Sequence, residues 1–289
     1  MCKVSYHLLP SRSYRSIGEA RLSEFAFIIK DIEAEDIFAV PYEFHSICDD
    51  NGVYFSDYFY RDIPQTDDTM FIEQSIYKNP CDKTYEELSL LLRQGERIGY
   101  TSLDSEKDNI YAHGNDAFIA LSSSCLPKIK EYYTKRYILE SSNYTEFERR
   151  AKKTYENLVF HPDAFKSAEK LGRLADVIIE LDRHLSVLNR YGRKAYRDGH
   201  GEVNAFQVLK SNGLVCSGKG SEEGDFKKSY TYLHETTQKI CKLTCNPHTK
   251  LYDGNNDKRI YFCWGQEDIS DYKIIIAKIG DHWKRSDNT

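Results

Sequence analysis

The chain has 289 residues, long enough for two domains at ~100–200 residues each, and its hydrophobic (40%) and charged (29%) shares are those of an ordinary globular protein. It holds no run of eighteen apolar residues, so no membrane span is expected, and the opening Met1-Cys2-Lys3-Val4 lacks an apolar signal core, which points to the cytoplasm. The net charge of −5 conceals an acidic front and a basic back: residues 1–150 hold 17 Lys+Arg against 26 Asp+Glu and residues 151–289 hold 23 against 19, a split that suggests different partners for the two halves.

Residues 1–125 read as mixed α and β. Leu22, Phe25, Ala26, Ile28 and Ile29 recur at helical spacing, whereas residues 37–44 look extended, with Pro41 arguing against a central strand. Asp49-Asp50-Asn51-Gly52 is a tight-turn signal between residues 42–47 and 53–60, which predicts a hairpin. A short helix ending near Leu92 is capped by Asp82 or Thr84. Tyr54, Tyr58, Tyr60, Tyr77 and Tyr85 crowd this half. Tyrosine joins apolar area to a hydrogen-bonding tip, so they form either a surface for a protein partner or part of an ordinary core. No phosphate loop, GxGxxG or HExxH motif is present here.

Two helices follow, residues 126–139 and 145–156, separated by Ser141-Ser142-Asn143-Tyr144, with Thr145 and Glu148 placed as a capping box. This break sets a domain boundary: an acidic mixed α/β domain over 1–145 and a basic domain over 146–289. A long helix over 163–196 carries an apolar stripe, and Gly172 and Gly192 weaken it enough to divide it into a helical hairpin. Its end interleaves cations (Arg190, Arg193, Lys194, Arg197) with Tyr191 and Tyr196, a mixture suited to phosphate and to bases. Residues 198–238 are irregular and glycine-rich, with one short helix near 202–209.

The last forty residues hold three β-rich runs separated by turns, written as an antiparallel meander. In the middle run Ile260, Phe262 and Trp264 share one face and Arg259, Tyr261 and Cys263 the other. The final run, residues 274–279, is nearly continuously apolar and reads as a central strand, ending in His282, Trp283, Lys284 and Arg285. Together these readings give an α+β fold of two domains, the second a helical hairpin packed on a small antiparallel sheet. The eight cysteines are scattered and are expected as free thiols; Cys241, Cys245 and His248 make part of a zinc ligand set, while Cys241 and Cys245 also share one strand face with Leu243 and so fit a core.

This C-terminal pattern resembles the RelE/ParE superfamily of small toxins. Members begin with a strand running into a helix, as residues 155–171 do, and Ile275-Ile276-Ala277-Lys278-Ile279-Gly280-Asp281-His282-Trp283 is similar to the YoeB-like branch, whose last strand ends in histidine and an aromatic residue. Against that pattern, residues 198–238 are an insertion.

The resemblance implies a metal-independent RNA endonuclease acting as a toxin–antitoxin or anti-phage abortive-infection effector, with RNA or the ribosome as partner and no cofactor. Such a site removes one proton, donates another and balances charge on the phosphorane-like transition state. Arg259, His282 and His248 are the candidate catalytic residues. Lys250, Lys258, Tyr261, Lys278, Trp283 and Lys284 are candidate RNA contacts, beside Arg190, Arg193, Lys194 and Arg197. The acidic half would regulate or target this activity. The superfamily also has members that act on gyrase without RNase activity, and residues 248–289 hold seven Lys+Arg against seven Asp+Glu. A non-enzymatic subunit of a multi-protein defence complex is therefore the alternative.

Overall fold

The computed structural model describes residues 3–105, 108–199, 201–218, 227–233, 238–254, 257–267 and 269–283, and the chain divides into two compact units, Met1–Thr134 and Lys135–Thr289. Among the described residues no helix is long and apolar enough to cross a membrane. Helices and strands occur in both units, as an α+β reading requires.

The first unit runs β1 (Ser5–Leu9), α1 (Glu19–Glu35), β2 (Ile37–Pro41), α2 (Phe55–Arg61), α3 (Asp67–Lys78), β3 (Pro80–Cys81), α4 (Tyr85–Arg93), β4 (Ile98–Ser102), β5 (Ile119–Ala120) and α5 (Leu126–Leu139), the last crossing the division. The strands form one parallel sheet in the order β3-β2-β1-β4-β5. Parallel strands need helical crossovers that cover both faces, which is why β1 and β4 are buried almost throughout. α1 buries Leu22, Phe25, Ala26, Ile28, Ile29 and Ile32, and Thr84 caps α4 in a reciprocal box with Glu87.

Two expectations are corrected here. β2 is flanked by β1 and β3, so it is an interior strand; Pro41 is tolerated because it is the strand's last residue. The hairpin over 42–60 reduces to a single Cys48–Tyr54 bridge between a 3-10 turn (Tyr42–Ser46) and α2. The Asp49 carboxylate supplies the turn's bonds instead, accepting from the backbone N–H groups of Tyr14, Asn51 and Val53 at 3.0, 2.9 and 2.9 Å.

The second unit continues with α6 (Tyr144–Thr154), β6 (Leu158–Phe160), α7 (Leu174–Val187), α8 (Arg193–Asp198), α9 (Glu202–Ser211), β7 (Cys216–Ser217), β8 (Lys227–Leu233), β9 (Gln238–Thr244), β10 (His248–Lys250), β11 (Lys258–Cys263) and β12 (Ile274–Asp281). α6 is capped by Asn143, whose side chain accepts from Glu146 N–H, while Glu146 takes the N–H of Ser142. The cap therefore lies two residues before the Thr145–Glu148 pair read from the sequence. The long helix is interrupted at Gly172 (φ +107°), and a π-helical turn, Leu188–Gly192, joins α7 to α8.

The main sheet has the order β6-β12-β11-β10-β7, with β8 and β9 pairing separately. It is mixed rather than antiparallel, because β6 pairs with β12 in parallel. Residues 198–238 contribute α9, edge strand β7 and β8. One sheet face carries Ile260, Phe262, Ile274, Ile276 and Ile279 and packs with Leu174, Val177, Ile178, Leu181 and Leu185 of α7. Gly280 has φ +149°, and a Cβ there would stand 2.8 Å from Ser167 O. Gly280→Ala is accordingly predicted to destabilise the chain by at least about 1–3 kcal/mol, the cost of the backbone conformation alone; unchanged denaturant unfolding would refute this account.

Candidate functional site on the second face of the C-terminal sheet

Burial of Ile260 and Phe262 against α7 turns Arg259, Tyr261 and Cys263 to the opposite face. The register then sets their neighbours: Tyr261 lies between His248 on β10 and Lys278 on β12, and Arg259 between Lys250 and Gly280. A β-bulge follows Tyr261, and the exit of β12 adds His282 and Trp283.

Tyr261 is the centre of this group and is fully buried. Its ring centre lies 5.0 Å from that of His248, 4.8 Å from Trp283 and 6.2 Å from His282, and its hydroxyl accepts from Trp283 N–H at 3.2 Å. The two imidazoles stand 6.3 Å apart, nearly perpendicular. His248 Nδ1 is 2.9 Å from Asn246 O, which can only accept, so Nδ1 is the donor of this bond. His282 is half-exposed and donates its backbone N–H to Asp257 O. Lys278 Nζ lies 5.4 Å from the Trp283 ring centre.

Other candidates are committed within the protein. Arg259, 8% exposed, donates from Nη1 to Lys258 O at 2.8 Å. Lys258 pairs with Asp281 and donates to Lys170 O. Tyr261 cannot stack on a base as it stands, since it is buried between His248 and Trp283, a correction to its expected role. Trp283 is also buried, Lys250 is half-buried, and Lys284 lies outside the described residues.

Arg190, Arg193, Lys194 and Arg197 are gathered elsewhere. They lie on the π turn and α8, beside Asn157, whose carbonyl accepts from Ile274 N–H at the start of β12. His282 follows the other end of that eight-residue strand, so roughly 25 Å separates the two groups. The structure therefore splits the expected RNA contacts into two sites.

Sequence reasoning missed a polar network on the apolar side. His184, fully buried in α7, donates from Nε2 to Glu180 Oε1 at 3.1 Å, and its Nδ1 meets the Thr249 hydroxyl at 2.8 Å. Burial would raise the Glu180 carboxyl, but bonds from His184, Arg183 and the Tyr252 N–H outweigh it and hold the group well below the usual range. Because Thr249 is itself fully buried, this network fastens α7 to β10. Its only local signal is the four-residue spacing of Glu180 and His184 inside an apolar stripe. Cys245 and Cys263 are buried together; the Cys263 thiol is pushed up by its hydrogen bond to Cys245 and by burial. The Cys241 side chain lies outside the described residues, and among those described no group of three or more His, Cys, Asp or Glu side chains is placed to hold a metal.

In the N-terminal unit the tyrosines divide. Tyr58 and Tyr85 are core, whereas Tyr60 and Tyr77 are exposed and share a 3.0 Å hydroxyl contact. A cavity of about 550 Å³ lies between β1, β2 and α4, lined by Ser5, His7, Ala39, Cys81, Lys83 and Leu88 among others. No family model, curated protein or solved structure matches the chain.

Burial and then the Lys83 charge push the His7 imidazole down to about 4. Its folded value lies below its unfolded value near 6.5, so the stability of the neutral form is complete above pH ~6.5 and is lost as pH falls toward 4. Between pH 7 and 5 the wild type is predicted to lose about 2 kcal/mol more than His7→Gln in denaturant unfolding. Parallel losses in both proteins would remove His7 as the cause.

Proposed function

We propose that the C-terminal unit is a metal-independent endoribonuclease of the RelE/ParE kind, serving growth arrest or phage defence, with the N-terminal unit regulating or targeting it. The observation that carries this reading is the convergence of two imidazoles, a guanidinium and a lysine around Tyr261 at the end of the last strand. Further support is that β6 leads into a helical segment and that β12 closes the sheet before His282 and Trp283.

In this reading the RNA 2′-oxygen loses its proton, attacks the adjacent phosphorus and expels the 5′-oxygen, leaving a 2′,3′-cyclic phosphate and a 5′-hydroxyl. His282, the half-exposed imidazole, exchanges a proton with one of these oxygens. His248, whose Nδ1 is fixed by Asn246 O, would serve the other oxygen, so that one imidazole accepts the 2′-hydroxyl proton and the other donates to the leaving 5′-oxygen. Arg259, released from Lys258 O, would place its planar fork on the phosphate, with Lys278 adding charge.

One observation favours a second reading, a non-enzymatic RNA- or protein-binding subunit: His248, Arg259 and Tyr261 are 4%, 8% and 0% exposed, so substrate must open this face before chemistry begins. Growth and total RNA after induced expression of wild type, Arg259→Ala and His282→Ala separate the two. The nuclease reading predicts arrest with RNA fragmentation in wild type and at least a hundredfold loss of cleavage in each folded variant. Equal fragmentation in all three, or none in any with soluble protein, would reject the assigned site.

A further inference from the structure

β1 is an interior strand of the parallel N-terminal sheet, a position where both faces are covered and the residues usually form an unbroken apolar run. Ser5 and His7 interrupt that run. Ser5 pairs with Ile98 of β4 and His7 with Ala39 of β2, so the four side chains share one face of the sheet. All four line the cavity of about 550 Å³, together with Leu88 and Leu91 of α4. Its volume falls in the range of roughly 300–1,000 Å³ that suits a small organic ligand.

Ser5 Oγ lies 3.0 Å from His7 Nε2, while His7 Nδ1 is buried with no hydrogen-bond partner among the described residues. Burying an imidazole for one bond is costly. The bond joins two residues of the same strand, so unlike the His184 contact to Thr249 it fastens no element to another and gives the fold little in return. Ser5 is only half-buried, and its hydroxyl keeps bonding capacity toward the cavity. If Nε2 carries the His7 proton, Ser5 accepts it and keeps its own hydrogen to donate. If Nδ1 carries it, Ser5 donates to Nε2 and only its lone pairs remain. A ligand hydroxyl, donor and acceptor together, fits both states.

The surroundings disfavour an ionised ligand. Burial and then the Lys83 charge keep His7 neutral, and at the exposed rim Lys83 stands with Asp82 and Glu96, carboxylates that repel an anion. The N-terminus of α4 is committed within the protein: Tyr85 N–H donates to Glu43 Oε2 at 3.0 Å and Glu87 N–H to Thr84 Oγ1 at 3.1 Å. An ion of either sign would exchange water for apolar walls without a deep partner of opposite charge. From this geometry we infer that the cavity binds a small neutral molecule with an apolar body and a hydroxyl group. The hydroxyl meets Ser5, and the body lies among Ala39, Ile98, Leu88 and Leu91. The inference rests on the N-terminal unit alone and is independent of the reaction proposed for the C-terminal sheet.

Calorimetric titration of the full chain with 4-ethylphenol, ethylbenzene and 4-ethylbenzoate, which share an ethylphenyl body, tests the site. Saturable binding of 4-ethylphenol at millimolar concentration or below is expected, with binding of ethylbenzene and 4-ethylbenzoate weaker by about tenfold or more, the scale of one lost hydrogen bond. Ser5→Ala should weaken 4-ethylphenol by about the same factor, and Ser5→Thr should retain it. Cys81 lines the cavity and is half-exposed, so in the wild type bound 4-ethylphenol should slow its alkylation by iodoacetamide and leave that of the exposed Cys48 unchanged. Equal binding of 4-ethylphenol and ethylbenzene, absence of saturable binding, indifference to Ser5→Ala in folded protein, or unchanged alkylation of Cys81 at saturating 4-ethylphenol would overturn the inference.

Discussion

The candidate site depends on the burial of Ile260 and Phe262 against α7. Each side chain contributes ~1.5–3 kcal/mol when removed from water. Because a strand alternates sides, this burial leaves Arg259, Tyr261 and Cys263 no direction but the other face. A one-residue slip of β11 would bury the guanidinium in the apolar layer and expose two large apolar side chains, so register and site are set by the same packing. The neighbouring strands follow, and the cross-strand partners of Tyr261 become His248 and Lys278.

Polar bonds then orient what packing has placed. His184, Glu180 and Thr249 hold β10 to α7 from beneath. Tyr155, between α6 and β6, donates to Asp182 of the same helix at 2.8 Å. A buried group left without its partner costs ~1–3 kcal/mol, so these bonds favour one docking of helix on sheet over its neighbours. The second face is the less settled one chemically, since its guanidinium, that of Arg259, rests on a backbone carbonyl of its own strand.

Legibility followed the range of the interactions. The two faces of β11 and the central position of β12 were readable because strand period and an unbroken apolar run are local signals. The parallel partner of β12 was not, since Leu158 pairs with Ile274 more than a hundred residues away. The same limit hid the N-terminal parallel sheet, whose β3 and β5 are two residues each and too short to show a period. Asp49-Asp50-Asn51-Gly52 did mark a turn, but local turn chemistry does not reveal that Asp49 would serve three backbone donors in place of a strand ladder. Among the candidate site residues, those on adjacent strands came together, while the cations at 190–197 were joined to them only by residue type. Spacing along the chain carried no information that a whole strand would stand between the two groups.

The most direct measurement is incubation of the purified full chain, with excess chelator, with an oligoribonucleotide and with its fully 2′-O-methylated counterpart. The account predicts cleavage of the unmodified strand alone, yielding 2′,3′-cyclic phosphate and 5′-hydroxyl ends. Equal cleavage of both strands, or an intact ribonucleotide in the presence of folded protein, would contradict it.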